Sequence, residues 1–367
     1  MIAHNLAHEQ YSNAVPIQRR LLDELQPLIE AYRSAASKPK LDFRHKWENG
    51  LETLIPEYAD VQNAVGLLIA DADSNDRDRK PELAMSELYD AARLSNLIGN
   101  EPNLIAVFMS FACESSIENE LELLQGRSIP SLASISRTRH VIDGFGSLPS
   151  VRRALSGEIV MMRQGLSLLG TRRARDVFGP NGAQLSLRLG GYSPVRNALD
   201  AKLIEYWRTV FRSFPKSGED PIQETELLNK QSAWLDKQTD WQYAYVQARN
   251  QPYVGLGVAL RDQLARRRVL STLCDLLERD LQKPNADGAL SQTADHTDPF
   301  TGEPLKVLRK PGGWIAYSLG RDHFDDHGRR LSGTHKDHVP NIVFEYPAFT
   351  PPHNRREPSR KTPTPIW

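Results

Sequence analysis

The chain has 367 residues, 40% apolar and 25% charged, the profile of a globular protein with room for one large domain or two ordinary ones. Lysine plus arginine and aspartate plus glutamate each number 46, so the formal net charge is zero. That balance argues against bulk nucleic-acid binding, which shows as a basic excess, and it removes long-range steering toward an anionic membrane.

The opening "MIAHNLAHEQYSNAVPIQRR" lacks the basic-then-apolar order of a signal peptide, and no later stretch approaches the ~18–20 apolar residues of a membrane span. From about Val15 to Lys283 the apolar spacing is helical. In "PELAMSELYDAARLSNLIGN", Ala84, Met85, Leu88, Ala91 and Leu94 form one stripe, Pro81 suits a first turn, and Gly99 suits the position past the end. "EYADVQNAVGLLIADA" before it and "EPNLIAVFMSFACESSIENELELLQG" after it have the same character, so the three should pack as antiparallel neighbours. Further helices are expected at Leu148–Leu169, Pro194–Ser213 (with Ser193 as cap), Gln223–Lys237 and Leu256–Leu281. Between them, "GPNGAQLSLRLGGYS" reads as a loop with one short strand. The helix–turn–helix rhythm resembles that of tetratricopeptide-like solenoids, without a repeated consensus.

The predicted fold is mainly α: an irregular or solenoid-like antiparallel helical array over 1–285. A small antiparallel β element with a long Asp/His-rich loop follows at 286–347, then a Pro-rich disordered tail at 348–367. The β element reads as "LKVLRK", the turn "PGG", "WIAYSLG" and, after a polar loop from Arg321 to Asn341, "IVFEY". A lone hairpin is marginal in water, and that loop is long for a hairpin connection, so something must order it. Asp322, Asp325, Asp326 and Asp337 are hard oxygen donors of the kind Ca²⁺ takes.

Other signals are weaker. Cys113 and Cys274 both fall in helical segments and read as buried free thiols, with a single disulfide between them as the alternative. Arg152, Arg153, Arg163, Arg172, Arg173 and Arg175 could grip an anion, but they read first as a solvated face. Gly255-Leu-Gly257 reads as a helix start, and Tyr206, Trp207 and Phe211 read as packing. Six of the ten histidines lie from His296 to His353. Among them, His323, His327, His335 and His338 with the loop aspartates allow a zinc-type site, though no HExxH or CxxC is present.

"DPFTGEPLKV…WIAYSLGRDHFDD…NIVF", Asp298 to Phe344, resembles the C-terminal segment of the major pseudopilins of type II secretion. There, a turn and strand lead into a "YSLG" strand end and an acidic calcium loop. The resemblance implies a calcium site to which Ser318 lends a carbonyl and Asp322 the first acid, with Asn341 standing at the family's late aspartate. This chain departs from the pattern in Arg321, in Asn341, in its longer loop and in having no apolar N-terminal filament helix. The phrases "AARLSNLIGNEPNLIAVFMSFA" and "DPFTGEPLKV…YSLGRD" together resemble a bacterial, envelope-anchored helical family carrying the same tail, which implies a periplasmic or envelope setting. The expected function is therefore a non-enzymatic scaffold with a protein partner, its metal set being Ser318, Asp322, Asp325, Asp326, Asp337 and Asn341 around Ca²⁺. The alternatives are a Zn²⁺-type enzyme using His323, His327 and Asp326, and a helical peptide adaptor, which requires an exposed apolar groove.

Overall fold

The structure, a computed structural model, describes residues 15–45, 49, 55–127, 129–169, 192–215, 220–250, 255–283, 296–329 and 341–346. Within them the chain forms ten α-helices: α1 Val15–Ala36, α2 Glu57–Arg77, α3 Pro81–Gly99, α4 Leu104–Arg127, α5 Leu132–Gly144, α6 Val151–Leu168, α7 Ser193–Ser213, α8 Pro221–Leu235, α9 Ala244–Asn250 and α10 Leu256–Gln282. Three strands follow, β1 Lys306–Lys310, β2 Gly313–Ser318 and β3 Ile342–Tyr346. The mainly α reading holds, and all three strands stand where alternation placed them. The loop expected before Ser193, the linker before His296 and the Pro-rich tail lie outside the described residues.

Local chemistry sets the helix starts. Ser150 Oγ accepts from Arg153 N at the head of α6, and Asp220 Oδ1 accepts from Ile222 N and Gln223 N at the head of α8. Ser131 and Ser134 form a capping box on α5. Ser193 is not the cap expected of it: α7 already includes it, and Tyr192 precedes the helix with no side-chain bond. Gly99 closes α3 as its last helical residue, with Asn100 as cap. Beyond the general helical spacing from Val15 on, the sequence did not single out α1, α5 and α9, the last of which has only 7 residues.

Two apolar cores result. The first joins α1–α5 (Leu22, Leu68, Leu88, Ile117, Val141), the later part of α10 (Val269, Leu273, Leu277) and the sheet (Trp314, Ala316, Phe344). The second joins the start of α4 (Leu104, Val107), α6–α9 (Leu155, Leu199, Leu228, Tyr245) and the start of α10 (Leu256, Leu260). Helices α4 and α10 therefore belong to both. Cys113 and Cys274 are buried and free in the first core, and burial pushes both thiols up to about 12.

The sheet order is β1-β2-β3, all antiparallel, with Lys306 opposite Tyr317 and Trp314 opposite Tyr346. One face of β2 packs on α10. Over the other, Gly328 brings the following loop close to Ile315 and Tyr317. A Cβ there would lie 2.9 Å from Ile315 Cγ2, and its φ of +67° also favours glycine. The central strand is thus buried on both sides. The β element shares the core of the helices, which removes the marginality of an isolated hairpin.

Candidate functional site

The base of the C-terminal loop is held by Asp298, which is 2% exposed. Its Oδ1 accepts from Phe300 N and Ser318 Oγ, and its Oδ2 from Leu319 N, all at 2.9 Å. One carboxylate thus ties the "DPFTG" turn to the end of β2. Ser318, expected to serve a metal, gives its hydroxyl to Asp298 and accepts from Gly320 N at 3.1 Å. Sequence reasoning had quoted Asp298 without assigning it this task. The signal was an Asp-Pro turn placed before a strand pair.

The loop acids are spent mostly on turns. Asp322 Oδ1 accepts from Phe324 N at 3.1 Å, and Asp325 Oδ1 accepts from His327 N at 2.7 Å and from the Tyr317 hydroxyl at 3.0 Å. His323 and His327, four residues apart, share no helix: both are exposed turn residues with φ of 57° and 55°. Asp326 is buried, and its amide points at the buried Asn341 side chain. An amide N–H can only be met by an oxygen, so Asn341 Oδ1 accepts from Asp326 N at 3.0 Å. Its Nδ2 then donates to Phe324 O at 2.8 Å and Leu319 O at 3.2 Å. In this orientation Asn341 bridges the two carbonyls through its nitrogen. Among the described residues, no group of three or more His, Cys, Asp or Glu is placed to hold a metal ion. Asp337, His335 and His338 lie outside the described residues.

A second cluster was not legible beforehand. Helix α4 is exposed along one stripe only, through Ile105, Phe108, Ala112, Ser116, Asn119 and Leu123, so Glu114, Glu118 and Glu122, spaced one turn apart on a buried side, lose their water on folding. Glu114 receives a two-pronged Arg267, with Nη2 at 2.8 Å and Nε at 3.1 Å. Glu118 Oε1 accepts from Gln263 at 3.0 Å, while Arg266 stays 3.7 Å from its Oε2. Glu122 Oε1 accepts from Glu345 N at 3.0 Å, which covers an otherwise open backbone donor of edge strand β3. Burial pushes Glu118 up to about 8, with Arg266 pulling the other way. The row joins α4 to α10 and the sheet. The signal was three glutamates on one stripe that also runs through Ser110 and the buried part of the helix.

The cavity with interaction chemistry lies between α6 and α7. Ile159, Ile204, Trp207 and Phe211 floor a concavity of about 470 Å³, with Arg163, Arg208 and Arg212 on its walls. It continues past Arg163 into a more polar hollow lined by Gln164, Ser167, Arg196, Asn197 and Asp200. Arg163 forms a fork with Asp200, both bonds 2.9 Å. Trp207 and Tyr206 are core residues, as expected, but Phe211 is only half-buried and shared with the groove. Arg152 lies over Phe211 and Phe214 at 5.9 and 5.5 Å, a cation–π contact rather than an anion site. Arg172, Arg173 and Arg175 lie outside the described residues. Comparison with protein-family models, curated proteins and solved structures finds no match to this chain.

Proposed function

We propose that the chain is a non-enzymatic interaction scaffold that holds an acidic, apolar-faced segment of a protein partner in the α6–α7 groove. The observation that carries this is the groove itself: an apolar floor in a helical array, walled by four arginines against one aspartate. An extended or helical segment laid there would bury its apolar side on Ile204 and Phe211 and offer carboxylates to Arg208 and Arg212. The segment that joins α6 to α7 in sequence is like-charged: residues 170–191 carry Arg172, Arg173, Arg175 and Arg188 against Asp176. Charge therefore disfavours that segment as the occupant. The resemblance of the tail and of the α3–α4 region to envelope-associated bacterial chains supports a setting at the cell envelope.

The test is a photo-crosslinking residue at position 204 of the full chain in its source cells, with position 308 on the sheet as control. We expect an adduct at 204 to an acidic segment of one partner, abolished by the double change Arg208→Glu with Arg212→Glu. Equal adducts at both positions, insensitivity to charge reversal, or linkage to the chain's own segments would each contradict the reading.

A further inference from the structure

We infer that the Asn341 side chain takes the place of a metal ion in closing the C-terminal loop, so that the loop folds without one and a single atom's change would create the requirement. Two backbone carbonyls from separate points of the loop, Leu319 O and Phe324 O, converge on one buried atom, Asn341 Nδ2. Carbonyl oxygens that face each other repel unless something electropositive lies between them. In this loop the two amide hydrogens of Asn341 supply it. The orientation is fixed from behind, because Asp326 N–H donates to the side-chain oxygen and so holds Oδ1 on its own side.

The chemistry of the exchange is explicit. Asn341→Asp keeps the oxygen that serves Asp326 N and turns the nitrogen into a second oxygen. The loop would then present a carboxylate oxygen and two carbonyls to one point, with no hydrogen among them. That is a start toward a hard-cation site and a source of repulsion without one. The buried setting raises the penalty, since neither the carbonyls nor the new oxygen can turn to water.

The experiment uses the full chain and its N341D variant, unfolded thermally in EDTA and in about 10 mM Ca²⁺, roughly tenfold above the weakest dissociation constants of extracellular-type sites. Wild type should unfold at the same midpoint in both. N341D should fall by about 3 °C in EDTA, a shift of the size one lost buried contact gives in a chain of this length, and recover in Ca²⁺. A wild-type reading that does not depend on the variant's folding is the Asn341 side-chain NH₂ resonance pair, which should be slow to exchange and unmoved by Ca²⁺. A Ca²⁺-dependent rise in the wild-type midpoint, movement of that resonance with Ca²⁺, or an N341D variant indifferent to EDTA and Ca²⁺ would overturn the inference.

Discussion

A carboxyl stripped of water on folding must find a cation or keep its proton, and Glu118 leans to the second. Its Oε2 accepts no hydrogen bond among the described residues, its nearest cation is 3.7 Å away, and of its neighbours Glu114 raises it while Arg267 lowers it. Burial lifts it from the usual carboxylate range to about 8. The folded state therefore holds a proton there that the unfolded chain releases above about 4.5. The stability this proton contributes is full below the unfolded value and is lost as pH rises to about 8. Glu120, lifted to about 7 by burial and by Asp73, acts with the same sign. We expect wild type to be less stable at pH 8.5 than at pH 6. Glu118→Gln, which cannot ionise and can keep the Gln263 bond, should flatten that slope and gain on the order of a few kcal/mol at pH 8.5. Denaturant unfolding at the two pH values measures both. Such residues were hard to read in advance, because a glutamate every fourth position also describes a solvated helix face. What distinguishes the two is that the exposed stripe of α4 lies elsewhere, along Ile105, Phe108, Ala112, Ser116, Asn119 and Leu123, which the spacing of the glutamates does not show.

Among the elements, the hairpin and third strand were plain in "LKVLRK", "WIAYSLG" and "IVFEY", whose alternation is local. What holds them was not, because it depends on contacts distant in the chain. Trp314 Nε1 donates to Asp280 on α10 at 2.8 Å, and Arg309 binds the same carboxylate while lying 4.5 Å over the Trp314 ring. Asp298 does comparable work at the other end of β2. Asp298→Ala would leave Phe300 N, Leu319 N and the Ser318 hydroxyl without an acceptor in a buried place, and we expect a loss of about 3 kcal/mol. Denaturant unfolding reads this directly; a change under about 0.5 kcal/mol, the size expected at an ordinary surface position, would contradict the assignment. The loop acids illustrate the limit of composition. Asp322 and Asp325 supply the oxygens a calcium loop needs, yet each accepts from the backbone amide two residues on, and Asp325 also from the Tyr317 hydroxyl, uses that leave the same residues in the sequence.

In the molecule as a whole, α4 and α10 carry the first core into the second, and many acids that folding buries are met by arginine. Glu87 and Asp71 face Arg33, Asp73 faces Arg77 and Arg127, and Glu114 faces Arg267. Zero net charge in the composition thus becomes internal pairing. Gly157 allows α6 to cross the head of α4, since a Cβ there would collide with Pro102 O. That crossing sets α6 beside α7 and so shapes the groove. Helix periodicity could announce α6 and α7 but not the gap between them, which arises from where each helix is anchored. The account rests on that gap being open to a partner, and Ile204 is the residue to ask. The native thiols, Cys113 and Cys274, are buried and pushed up to about 12, so Ile204→Cys places a single reactive thiol in the chain. With maleimide at neutral pH the account predicts fast labelling at position 204 in the folded, purified chain, while the native thiols react only on unfolding. A position 204 thiol as slow as Cys113 would mean that the groove is covered by the chain itself or by a second copy, and would contradict the proposed function.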